Sequence, residues 1–114
     1  MDGRATVRKD KQLTVILDGV YCETKNMSMG GLGCTSTRNI PCLTELDTTL
    51  KLPDGDVYFK STALRCDEVF KGIFDVGIYF NSTSIDNETR RKIAVFLGVR
   101  LPDEEPKKEG ETET

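Results

Sequence analysis

The sequence predicts a mainly β fold: an antiparallel β-barrel of about six strands with a C-terminal α-helix. Three observations lead there. Apolar residues recur with a period of two along most of the chain, turns rich in glycine or proline come at short intervals, and one late segment switches to helical spacing. With 114 residues the chain is one domain, large enough for a modest core without a metal or disulfide staple.

The elements follow in order. "LTVIL" (Leu13 to Leu17) is a β-branched run. "VYCETK" alternates Val20, Cys22 and Thr24 on one face with Tyr21, Glu23 and Lys25 on the other, and "LGCTS" reads as the next strand. "TLKL" puts Leu50 and Leu52 on one side, and "LPDGD" turns the chain into "VYFKSTALRC". In "IFDVGIYF", Phe74, Val76, Ile78 and Phe80 share one face and Asp75, Gly77 and Tyr79 the other. Short connections leave little room for crossovers, so the strands pair antiparallel. About six strands in so small a domain hide their edges best by closing on themselves.

"STSIDNETRRKIAVFLG" is the exception to the β pattern. Ser84 or Asp86 is its N-cap and Gly98 its stop, and Ile93, Phe96 and Leu97 fall at helical spacing to lie against one mouth of the barrel. The run Arg90, Arg91 and Lys92 reads as a solvated helix face. Residues 1–11 carry four basic residues against two acids and read as a flexible arginine-bearing leader to a folded unit at 12–101. Residues 102–114 form an acidic tail with no apolar side chain to bury, and are expected to be disordered.

Composition excludes several functions. The net charge of −3, the absence of tryptophan and the few aromatics argue against a nucleic-acid surface. No apolar run approaches the roughly 20 residues of a membrane span, and the opening residues lack the core of a signal peptide, so a cytoplasmic location is expected. Cys22, Cys34, Cys42 and Cys66 contain no C-x-x-C pair and meet no histidine, so buried free thiols are expected rather than a zinc site. Without histidine, a nucleophile elbow or a Walker motif, an enzyme is not expected. Asp18, Asp54 and Asp56 lie in turns, where acids belong structurally.

Two motifs remain. "KNMSMGGLG" offers the carboxamide of Asn26, the hydroxyl of Ser28 and the bare backbone of Gly30 and Gly31, more than a simple hairpin needs. Asn26 and Ser28 either cap their own loop or read the edge of a flat polar ligand. "RATVR" places Arg4 and Arg8 four residues apart, and guanidinium groups grip phosphates bidentately or contact guanine.

Taken together, "RATVR" and "NMSMGG" resemble the signature of the PilZ domain family, R-x-x-x-R followed by [D/N]-x-S-x-x-G. Arg4 and Arg8 match the first motif, and Asn26, Ser28 and Gly31 the second, with Gly30 a neighbour outside it. "FDVGIYF" looks like the family's late barrel strand. The resemblance implies a six-stranded antiparallel β-barrel of the split-barrel type, a receptor for the bacterial second messenger cyclic di-GMP that needs no other cofactor. It implies that Arg4 and Arg8 contact guanine and phosphate, that Asn26 and Ser28 hydrogen-bond a guanine, and that Gly31 keeps the loop open. Ordering of the leader over the ligand would then change the surface shown to an unidentified effector protein. The chain would act as a stand-alone adaptor, monomeric or dimerising with ligand. The rival reading is an interaction module of the same fold that does not use the nucleotide.

Overall fold

The computed structural model describes residues 12–100. The leader with Arg4 and Arg8, and the acidic tail, lie outside them. Six strands, β1 (Thr14–Leu17), β2 (Val20–Met27), β3 (Gly31–Ser36), β4 (Glu45–Leu52), β5 (Gly55–Phe70) and β6 (Ile73–Phe80), close into an antiparallel barrel in the order β1-β2-β3-β6-β5-β4. Three tight hairpins turn on residues with positive φ: Asp18 and Gly19 between β1 and β2, Gly55 at the start of β5, and Gly72 between β5 and β6. Closure comes from two pairings that are not hairpins, β1 with β4 and β3 with β6.

The alternation read from the sequence is the alternation of the barrel. Val15, Leu17, Cys22, Cys34, Leu50, Leu52, Val76, Ile78 and Phe80 point inward and are buried. Phe59 and Phe80 meet edge to face inside, with ring centroids 4.9 Å apart. Two hydroxyls within the core, Thr48 and Ser61, hydrogen-bond to each other across β4 and β5, which satisfies both without water.

Three boundaries differ from the sequence expectation. β4 starts at Glu45 rather than near Thr49, because Leu46 and Thr48 continue its inward face. β5 continues past Cys66 to Phe70, as a ribbon with β6 whose side chains on the β5 side are mostly exposed. β2 runs through Met27, so Asn26 is a strand residue, and Gly31 opens β3.

Helix α1 (Asn87–Leu97) follows a short 3-10 turn at Ser82–Ser84. Of the two N-cap candidates Asp86 holds the place, its carboxylate accepting the Thr89 amide at 2.8 Å. Ser84 turns instead to the backbone of Asn81 and Lys60. Gly98 ends the helix in the left-handed conformation at φ 73°. Ile93 and Leu97 enter the barrel core and Phe96 packs at its margin, with Ala94 also buried. Among the described residues no helix is long and apolar enough to cross a membrane.

The cysteines divide. Cys22 and Cys34 are buried side by side, and the hydrogen bond that the Cys34 thiol donates to Cys22, together with burial, pushes the Cys34 thiol up, so it stays protonated. Cys66 is half-buried, accepting the Ile40 amide and facing Asn39. Cys42 is exposed on the β3–β4 connection, against the expectation that all four thiols are buried, because no strand periodicity carries it inward. A thiol reagent under native conditions should therefore label Cys42 first and Cys66 more slowly, with Cys22 and Cys34 reacting only on unfolding. Equal native rates for all four would contradict this packing.

Candidate functional site

The site is built on the outer surface of β2, β3, β6 and β5. Along one row of the sheet Asn26 faces Gly33, Gly33 faces Gly77, and Gly77 faces Arg65. Two glycines side by side on adjacent strands leave the sheet without side chains there. A planar group lies over each. The Asn26 carboxamide covers Gly33, where an added Cβ would come within 3.2 Å of its Oδ1, and the Arg65 side chain covers Gly77 at 3.3 Å.

Strict alternation would not present Asn26 or Arg65 to solvent. Thr24 and Ala63 are fully buried, so the residues two further on should also face inward. Each strand carries one extra residue in between: Lys25 stands between the Thr24–Cys34 and Asn26–Gly33 pairs, and Leu64 between Ala63–Ile78 and Arg65–Gly77. These two β-bulges flip the faces, sending Asn26 and Arg65 outward while Met27 returns to the core.

The loop that joins β2 to β3 is short, Ser28 to Gly30. It is closed by the Ser28 amide donating to the Gly31 carbonyl at 2.8 Å, and the Phe80 amide pins it by donating to the Gly30 carbonyl at 2.9 Å. The Ser28 hydroxyl adds contacts to the Gly30 amide at 3.4 Å and the Gly31 carbonyl at 3.5 Å, both at the outer limit of a hydrogen bond. The backbone thus closes the loop, and the hydroxyl retains capacity for a better partner. Asn26, Ser28, Gly31, Gly33, Arg65 and Gly77 line a groove of about 470 Å³, with Lys25 and Leu64 at its rim.

The glycines do different work from that expected. Gly31 does not open the loop; an added Cβ there would stand 2.2 Å from the Ile78 carbonyl oxygen, so Gly31 permits the β3–β6 approach. Gly30 has open space and no positive φ. Arg4 and Arg8 lie outside the described residues, but the entry of their segment is fixed. The Leu13 carbonyl accepts the Thr24 amide and the Leu13 amide donates to the Thr24 hydroxyl, each at 2.8 Å, beside Lys25 and Asn26.

Sequence reading missed Lys25, Gly33, Arg65, Asp75 and Gly77. Lys25 and Arg65 both bond the Asp75 carboxylate on β6, Arg65 at 3.1 Å, and Arg65 also approaches Asp67 at 3.5 Å. Lys25 foremost, with Arg65, holds the Asp75 carboxyl below the usual carboxylate range. A glycine paired with a glycine across two strands was the available signal, but it needs the register.

No family model matches the chain, and no curated protein matches it. Among solved structures it is similar to the Bacillus subtilis inhibitor of motility (MotI/DgrA), with a TM-score of 0.66 at 14% identity, over 85% of this chain and 50% of that one. The chain spans about half the length of that neighbour. The likeness supports a PilZ-like fold.

Two outcomes test this geometry. Gly31→Ala should destabilise the barrel by roughly 1–3 kcal/mol in urea unfolding while Gly30→Ala stays near neutral. Similar midpoints for the two variants would refute the close approach. Because the folded Asp75 pKa is depressed, its ion pairs stabilise fully above the ordinary carboxylate value of about 3.9 and that contribution is lost as pH falls through the folded value. Asp75→Asn should therefore flatten the acid side of the stability profile, measured by melting temperature against pH.

Proposed function

We propose that the chain is a receptor for cyclic di-GMP that relays binding to a partner protein and catalyses no reaction. The observation that carries this reading is the groove itself, where the Asn26 carboxamide and the Ser28 hydroxyl stand beside two cations on a floor kept low by Gly33 and Gly77. A carboxamide offers a donor and an acceptor to the edge of a guanine, and the glycines let the planar groups of Asn26 and Arg65 lie flat on the sheet, a surface on which a base can rest. Arg4 and Arg8, which the sequence motif assigns to the ligand, would supply guanidinium groups for phosphate and base. Ordering of that segment over the ligand is the switch, with no bond made or broken.

The fold neighbour is an inhibitor of motility, which accords with a regulatory role. The partner, a cytoplasmic setting and any change between monomer and dimer on ligand binding belong to the same proposal.

Calorimetric titration with cyclic di-GMP tests it, with GTP and linear pGpG as controls. The cyclic ligand should bind selectively. Ser28→Ala should weaken binding roughly three- to tenfold, as for one neutral hydrogen bond, and Arg8→Ala by roughly tenfold to a hundredfold, as for a charged one. No heat with any ligand would favour the adaptor that works without a nucleotide.

A further inference from the structure

Lys25 and Arg65 are held in an unusual way. Arg65 is turned outward by the bulge at Leu64 in β5, and Lys25, which the alternation of β2 already sets outward, is the extra residue of the bulge that turns Asn26 out beside it. Both reach across to one carboxylate, Asp75, which is only 19% exposed while the two cations are 44% and 51% exposed. Ion pairs at a surface contribute little to stability, so stability alone does not account for two cations gathered on one carboxylate. The cluster does something else: it sets two positive charges in the groove that holds Asn26 and Ser28. Asp75, with Asp67 beside Arg65, neutralises both.

We propose that Lys25 and Arg65 are phosphate-binding residues of this groove, and that Asp75 occupies them until an anionic ligand displaces it. This rests on the nucleotide reading and adds to it the chemistry of the barrel's own cations. A phosphodiester group and the Asp75 carboxylate present the same kind of acceptor to the same donors, so they compete for them. The guanidinium bonds two acceptors at once, which lets it pass from carboxylate to phosphate without being bare at any stage. Part of the ligand's binding energy goes into releasing Asp75, so the resting groove is less attractive to small anions than two unpaired cations would be.

The competition has a distinctive sign. Removing the Asp75 charge frees the cations, and binding of the anionic ligand tightens. Were Asp75 instead needed to position Lys25 and Arg65, the same change would weaken binding. The experiment is a titration of the full chain and its variants with cyclic di-GMP at low and high salt. Lys25→Gln and Arg65→Gln should each weaken binding several-fold to tenfold. Asp75→Asn should tighten it several-fold at low salt, with the gain shrinking as salt screens the charges. Weaker or unchanged binding by Asp75→Asn, a gain insensitive to salt, or neutral behaviour of both glutamine variants overturns the proposal while leaving the receptor reading in place. Absence of binding by the unaltered chain overturns that reading, and this proposal with it. If Asp75→Asn fails to fold by circular dichroism, the two glutamine variants decide, and both must weaken binding.

Discussion

The pairing of β3 with β6 is the constraint on which the site depends. The two strands are separated in the chain by the whole β4–β5 excursion, and their union closes one side of the barrel. It also sets Gly31 opposite Tyr79, so close to the Ile78 carbonyl that a side chain would obstruct the approach, and Gly33 opposite Gly77, where the Asn26 and Arg65 side chains lie over the bare backbone. Every outward residue of the groove is placed by reference to this seam. Asn26 lies one strand to one side of it and Arg65 one strand to the other. The seam is also where the loop after β2 is anchored, since the Phe80 amide at the end of β6 holds the Gly30 carbonyl.

Of the three places among the described residues where the ladder slips, the two beside that seam, in β2 after Thr24 and in β5 after Ala63, serve the outer face. A bulge costs a ladder interaction and bends its strand, yet it reverses which side chains face the solvent. On β2 the reversal brings out Asn26 and returns Met27 to the core, and on β5 it brings out Arg65 after the buried Ala63. The core is kept continuous on either side of each slip. A closed scaffold with local irregularities beside the site is a sound way to present polar groups at fixed positions, because the sheet rather than a long loop determines where they stand.

Much of the fold was legible because it rests on local rules. The inward faces of β2, β4 and β6, the Asp86 and Gly98 signals of the helix, and Ile93 and Leu97 as its core contacts all follow from period and capping chemistry. The site was legible only in part. Asn26 and Ser28 stand out as polar groups beside glycines, but Asn26 continues a strand rather than a loop, and a period-two reading of "VYCETKNM" would aim it inward. Arg65 and Gly77 were illegible for another reason: their meaning lies in register. A lone arginine in "STALRC" and a lone glycine in "FDVGIYF" gain significance only when the pairing sets them opposite one another. Cys42 shows the converse, a residue without periodic context whose exposure no strand rule reaches.

The resulting picture is a closed barrel with a polar groove across β2, β3, β6 and β5 in which two cations are already engaged by a carboxylate. The most direct measurement is amide chemical-shift mapping of the labelled chain during addition of cyclic di-GMP. The account predicts saturable shifts concentrated at Asn26, Ser28, Gly31, Gly33, Arg65 and Gly77, with Arg8 and its neighbours shifting alongside. Shifts confined to another face of the barrel, or none at saturating ligand, would contradict it.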